Sequence, residues 1–97
     1  MTKRATWSAT RAELGVSDDH PAYVAARLAF ELGAKVRDLR EARGWSQSEL
    51  ARLTGMTQSA IARFEAGGTV PTLTVLERIA AAFHRKVTVE LTELTAA

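Results

Sequence analysis

The sequence contains no cysteine, so disulfide bridges and thiolate metal sites are excluded. Proline and glycine are scarce, at two and six residues in 97, a composition typical of a folded domain and not of a disordered chain. No segment approaches the eighteen or so apolar residues of a membrane span, and residues 1–10 lack the apolar stretch of a signal peptide. We therefore expect one folded domain, too short for a two-domain enzyme, in the cytoplasm.

Large apolar side chains are also few, because 18 of the apolar residues are alanine. This favours small, tightly packed helices. The formal net charge is only +2, which is too small to indicate a polyanionic partner by itself. The distribution is more informative, because six basic residues and three acidic ones lie between positions 35 and 63.

No pattern of catalytic or metal-binding residues is present. The two histidines, His20 and His84, are far apart in sequence and lack metal-ligand spacing. Ser46 and Ser59 have no partnered His and Asp, and residues 67–68, both glycine, lack the Lys and Ser or Thr of a phosphate loop. The sequence therefore predicts a protein that is not an enzyme and that needs no cofactor or metal.

Helical spacing and breakers predict the first half of the fold. A short helix is expected over residues 9–14, within an N-terminal extension that spans residues 1–20. A long helix over residues 21–43 follows, with Leu28, Leu32, Val36 and Leu39 at helical spacing. Gly33 destabilises this helix by about 1 kcal/mol relative to alanine, so it is a candidate position for a bend.

Capping residues predict the next helices. Ser46 and Glu49 form a capping box that starts a helix over residues 47–54, which Gly55 ends. Thr57 caps a helix over residues 58–66, and Thr72 caps a last one whose apolar stripe is Leu73, Leu76, Ile79, Ala80 and Phe83. We assign residues 21–83 to one helical domain.

Residues 84–97 form a C-terminal tail in which the period changes. Val87, Val89 and Leu91 alternate with polar residues, which predicts a half-buried strand over residues 86–94. A lone strand leaves its edges unpaired, so we expect Val87, Val89 and Leu91 to contact a second copy or the sheet edge of another protein. The alternative is an extended tail packed on its own helices.

The segment WSQSELARLTGMTQSAIARFEAG, residues 45–67, resembles the helix-turn-helix of the Cro and phage-repressor (XRE) family. The residue types agree with this motif: Ala51 is small where the helices cross, Gly55 lies in the turn, and Ile61 points to the core. Helical spacing then turns the polar residues of the second helix outward together. The fold expected is a mainly α, lambda-repressor-like domain with a preceding long helix and a C-terminal β-strand.

This resemblance implies binding to double-stranded DNA. The candidate DNA-binding residues are Gln47, Thr57, Gln58, Ser59, Ala62, Arg63 and Thr69. Gln47 matches a family position that touches the DNA backbone, and Gln58 and Arg63 have the chemistry to read adenine and guanine. The resemblance also implies a partly buried ion pair between Arg40 and Glu65.

The flanking segments are similar to the HigA-like antitoxins, a branch of the same family that neutralises RelE/HigB-like ribonuclease toxins. This resemblance implies a homodimer that binds a palindromic operator, represses its own operon and neutralises a toxin. One alternative is a stand-alone XRE-type transcriptional regulator without a toxin. Another is a helix-turn-helix that serves only as a protein-binding scaffold.

Overall fold

The computed structural model describes residues 21–93. Their helices are α1 (Pro21–Ala42), α2 (Gln47–Thr54), α3 (Gln58–Glu65) and α4 (Leu73–Ala82). The bounds of α1, α2 and α3 agree with the predicted ones to within one residue. The helix predicted over residues 9–14, the rest of the extension over residues 1–20, and residues 94–97 lie outside the described part of the chain.

The helix starts and stops follow from local side-chain chemistry, as predicted. Ser46 Oγ accepts a hydrogen bond from the Glu49 amide at 3.0 Å, and a Glu49 carboxylate oxygen accepts one from the Ser46 amide at 3.4 Å. The hydroxyls of Thr57 and Thr72 each accept from the amide three residues later, at 3.0 and 3.2 Å. Gly55 ends α2 in the left-handed conformation, with φ 73°, where glycine has no steric penalty.

The core lies where α2 and α3 pack on α1 and α4. Its largest fully buried side chains are Phe64, Leu50 and Ile61. Two members of the predicted apolar stripes remain on the surface, because Leu28 and Leu73 are 48% and 58% exposed. Leu73 is the first residue of α4. The buried line of α1 instead runs through Ala29, Gly33 and Val36, one residue away from Leu28.

Gly33 allows α1 to touch the end of α3 through the backbone. A Cβ added at Gly33 would lie 2.3 Å from the Phe64 carbonyl oxygen and 2.9 Å from that of Glu65. On the other side of the contact, a Cβ at Gly67 would lie 2.9 Å from the Phe30 Cα. Gly33 is therefore a close-packing residue, and α1 is assigned as one helix through it. Helix propensity alone indicates only a weak point and a candidate bend at this position.

The predicted C-terminal β-strand is wrong. Residues 85–93 form neither helix nor strand, and residues 21–93 contain no strand with which they could pair. An alternating pattern gives a strand only when its backbone N–H and C=O groups find a partner edge. Val87 lies half-buried in a groove with Leu32 and Leu76, whereas Val89 and Leu91 are 69% and 95% exposed. The fold is mainly α, and residues 85–93 have no regular secondary structure.

Aromatic stacking joins the end of α4 to the turn between α1 and α2. The Trp45 and Phe83 rings stack with centroids 5.3 Å apart. The Arg43 guanidinium lies 5.2 Å from the Trp45 centroid and donates to the Phe83 carbonyl oxygen at 3.3 Å. These contacts hold the start of α2 against the rest of the domain.

Between residues 21 and 93, no helix is long and apolar enough to cross a membrane.

Candidate nucleic-acid interface

Helices α2 and α3 are joined by a tight turn with a defined geometry. Ala51 is buried, and its carbonyl oxygen accepts from the Gly55 amide and from the Met56 amide, the latter at 3.0 Å. The buried Thr54 hydroxyl donates to the Leu50 carbonyl oxygen at 2.9 Å, so its polar group is satisfied inside α2. The turn therefore fixes how α3 is presented relative to α2.

One face of α3 is free and polar. Ile61 and Phe64 are buried, with 0% and 2% of their surface exposed, and they turn the opposite face toward solvent. That face carries Gln58, Ser59 and Arg63, which are exposed, and Ala62, which is half-buried. These are four of the seven residues that the sequence predicts for DNA binding. The structure places them side by side on one helical surface.

The other predicted residues lie around this face. Thr57 is exposed and caps α3 through its hydroxyl. Thr69 is half-buried in the loop after α3, where it lines a hollow of about 280 Å³ together with Arg63 and Met56. Gln47, at the start of α2, is half-buried, and its side chain is hydrogen-bonded to that of Gln58. The surface formed by these seven residues is called the α3 surface below.

Gln47 and Gln58 form a chain of side-chain amides that the sequence analysis missed. Gln58 Nε2 donates to Gln47 Oε1 at 2.7 Å, and Gln47 Nε2 donates to Glu65 Oε1 at 3.1 Å. A local signal exists, because each glutamine is the first residue after an N-cap, Ser46 or Thr57. That signal becomes a contact only when the turn brings the two helix starts together, which spacing alone does not show.

Glu65 lies at the buried end of this chain and is paired with Arg40. Arg40 Nε lies 2.6 Å from Glu65 Oε2 and Arg40 Nη2 lies 2.9 Å from Oε1, a two-point contact. Arg40 Nη1 also donates to the Trp45 carbonyl oxygen at 2.8 Å. The hydrogen bond to Glu65 raises the pKa of Arg40 above its ordinary value, against the opposing effect of desolvation. Arg40 thus links α1, the following turn and the end of α3.

Arg37 adds a second positive charge near Glu65, which the sequence analysis did not assign. Its Nε lies 3.8 Å from Glu65 Oε1, and the Glu65 side chain is fully buried.

The tail residues predicted for a partner, Val87, Val89 and Leu91, contribute nothing to the α3 surface; Val87 lies beside α1 and α4. Among the described residues, no group of three or more potential metal ligands occurs.

The family described as "Helix-turn-helix domain" matches residues 31–94, about two thirds of the chain. The chain belongs to this helix-turn-helix family. The match covers α2, the turn, α3 and α4. It confirms the helix-turn-helix part of the resemblance found in the sequence, and the solved structures below support the XRE type.

A protein of Pyrococcus abyssi (strain GE5 / Orsay), whose name proposes it as an HTH-type transcriptional regulatory protein, is 39% identical over 51 residues. The matched region is 53% of this chain and 16% of that protein, so the match spans about one sixth of the relative's length. An HTH_3 family transcriptional regulator from Vibrio cholerae matches with a TM-score of 0.60 and 26% identity. That match covers 63% of this chain and 34% of the Vibrio chain.

Two other solved structures match over most of their own length. The restriction-modification controller protein from Aeromonas hydrophila has a TM-score of 0.58 and 31% identity, covering 60% of this chain and 88% of that chain. A toxin-antitoxin module from Streptococcus pneumoniae has a TM-score of 0.61 and 26% identity, covering 94% of this chain and 97% of that chain. The fold is thus shared with chains of comparable size.

Proposed function

We propose that this chain is a sequence-specific DNA-binding transcriptional regulator whose α3 enters the major groove. The observation that carries the proposal is the α3 surface, where Gln58 and Arg63 are exposed on a helix held rigidly by its buried face. A glutamine amide pairs with adenine N6 and N7, and an arginine guanidinium pairs with guanine O6 and N7. Each such pair discriminates by about 1 to 3 kcal/mol.

The starts of α2 and α3 supply the contacts that position the protein on the DNA backbone. The first amides of each helix have no acceptor within the helix, and the helix dipole favours an anion at this end. Ser46 and Thr57 satisfy only the third amide of each helix. The amides of Gln47 and Gln58 therefore remain suited to phosphate oxygens.

The DNA-bound form in this proposal is a homodimer on a palindromic operator. A single α3 surface offers few base-reading side chains, and two copies related by a two-fold axis read two half-sites about one helical turn apart. Symmetric dimers are also the commonest assemblies of soluble proteins. The chain acts in this proposal by binding alone and catalyses no reaction.

The finer proposal is that the regulator is an antitoxin, which represses its own operon and neutralises a RelE/HigB-like ribonuclease toxin. It is supported by the similarity to the Streptococcus pneumoniae toxin-antitoxin module, which extends over nearly the whole of both chains. The second candidate is a stand-alone regulator. The match to 88% of the Aeromonas hydrophila controller protein favours that alternative.

Selection from a pool of randomised DNA duplexes tests the proposed DNA binding. The full chain is expected to enrich a palindromic sequence, which then serves as the probe for affinity measurements. Gln58→Ala and Arg63→Ala should each weaken binding by about 1 to 3 kcal/mol and relax the preference at particular base pairs. Failure to enrich any sequence would contradict the proposal.

Arg85→Ala is the matched control for Arg63→Ala. It also removes one exposed positive charge, but Arg85 lies in the groove between α1 and α4, which α3 does not line. The sequence preference of this variant should equal that of the wild type.

Co-expression with the adjacent reading frame, followed by co-purification, separates the antitoxin from the stand-alone regulator, since only an antitoxin should retain a neighbouring gene product as its partner.

A further inference from the structure

The carboxylate of Glu65 is enclosed by donors. It accepts two hydrogen bonds from Arg40 and one from Gln47, its side chain is fully buried, and Arg37 lies 3.8 Å away. A carboxylate paired in this way offers only acceptor oxygens. Any group that bonds to it must therefore present an N–H or O–H.

This requirement sets the direction of the whole amide chain. Gln47 must turn its NH₂ group toward Glu65, so its oxygen faces α3. That oxygen can only accept, so Gln58 must turn its own NH₂ group toward Gln47, as the 2.7 Å contact shows. In the free protein without Glu65, both amides could rotate by half a turn and reverse the pattern. The charge on Glu65 thus determines which polar atoms of the Gln58 side chain remain available to bind a base.

One hydrogen of the Gln58 NH₂ group is committed to Gln47, so one N–H and the oxygen remain. One donor beside one acceptor complements adenine, which presents the N7 acceptor and the N6 donor in the major groove. Guanine presents two acceptors, N7 and O6. A free glutamine can offer guanine both hydrogens of its NH₂ group, but the committed one cannot, and its oxygen would face O6.

We propose that Glu65 is a positioning residue for base recognition, which fixes the direction of the Gln47–Gln58 amide pair and thereby excludes guanine at the base pair that Gln58 reads. This inference rests on the proposed function, because it requires that Gln58 reach a base edge. It assigns to the buried ion pair of Arg40 and Glu65 a role in specificity, in addition to its role in holding α1 to α3.

The test measures the ratio of affinities for adenine and guanine at one base pair. The probe is the duplex enriched from the randomised pool, together with its variants that carry guanine in place of adenine at each position. The position read by Gln58 is the one whose preference Gln58→Ala abolishes. For the wild type, the expected ratio there is about 5- to 150-fold in favour of adenine.

Gln47→Met cuts the amide chain while leaving the ion pair of Arg40 and Glu65 intact, so folding should be preserved. It should lower the adenine-to-guanine ratio about tenfold at the position read by Gln58 and leave the position read by Arg63 unchanged. Glu65→Gln removes the charge and should lower the same ratio. In the double variant, Glu65→Gln should change the ratio by less than about twofold beyond Gln47→Met, because Glu65 acts through Gln47.

A merely structural role for Glu65 would lower affinity for all duplexes and leave the ratio unchanged, which overturns the inference. An unchanged ratio in Gln47→Met overturns it as well, even if Glu65→Gln does not fold; thermal melting of each variant identifies that case. If no duplex is enriched by the wild type, the proposed function itself fails and this inference falls with it. The two failures are therefore distinguishable.

Discussion

Replacing Gly33 by alanine tests how closely α1 packs against the end of α3. The added Cβ would lie 2.3 Å from the Phe64 carbonyl oxygen. This oxygen belongs to the backbone of α3 and cannot rotate away as a side chain would. The two helices must therefore separate, which also disturbs the neighbouring contact between Arg40 and Glu65.

The expected loss of stability follows from two opposing effects. Overpacking of a well-packed site typically costs about 1 to 3 kcal/mol and sometimes more. Alanine in place of glycine in a helix gains about 1 kcal/mol through backbone propensity. Because the added methyl group meets a backbone oxygen that cannot rotate away, we place the overpacking at or above the top of its range and expect a net loss of about 2 kcal/mol. For a domain of this size, this lowers the Tm by about 8 to 16 °C.

Thermal unfolding followed by far-ultraviolet circular dichroism measures this change. Gly68→Ala is the matched control, because its Cβ would lie 3.1 Å from the flexible Arg63 side chain and 3.3 Å from a backbone oxygen. That variant should change the free energy of unfolding by less than about 1 kcal/mol. A Tm of Gly33→Ala equal to or above that of the wild type would refute the close backbone contact.

Three further predictions concern the same framework. Arg40→Met should destabilise the domain by about 3 kcal/mol in urea unfolding, because it leaves the buried Glu65 carboxylate without its main partner; a loss below about 1 kcal/mol would contradict this role. Thr57→Ala removes the cap of α3 and should cost about 1 kcal/mol in the same assay, whereas an unchanged midpoint would argue against the cap. The affinity for the enriched duplex should fall with salt, with a logarithmic slope of about −0.9 per phosphate neutralised. A flat dependence would exclude DNA as the principal ligand.

Features set by local chemistry were predictable from the sequence. The capping box of Ser46 and Glu49 and the stop at Gly55 depend on residues within a few positions of each other. Such interactions act the same way in almost any surroundings. The α3 surface was predictable for a similar reason, because burial of Ile61 and Phe64 fixes by helical geometry which residues point outward.

Features that depend on a distant partner were not predictable. The alternation of Val87, Val89 and Leu91 has the period of a strand, but a strand also needs an edge with which to pair, and residues 21–93 provide none. Gly33 was interpreted only through its helix propensity, because its packing partner lies 31 positions away at Phe64. Propensity describes the single chain segment, whereas packing decides the role of the residue.

The amide chain illustrates the same limit within the site. Gln47 was assigned to DNA through a family resemblance, and nothing in its spacing indicated bonds to both Gln58 and Glu65. Gln47 contacts Gln58 and Glu65, at the two ends of α3, because the turn at Gly55 places the start of α2 against α3. The sequence indicated which residues form the candidate site, and the fold determined which of them contact each other.

Nuclear magnetic resonance of the full chain, recorded as the enriched duplex is added, shows most directly whether α3 binds DNA. The largest changes in amide chemical shift should fall at the start of α2 and along the exposed face of α3, including Gln47, Gln58 and Arg63. The residues around Val87 and Arg85, in the groove between α1 and α4, should shift little. Changes centred on that groove, with α3 unperturbed, would contradict the claim that α3 reads DNA.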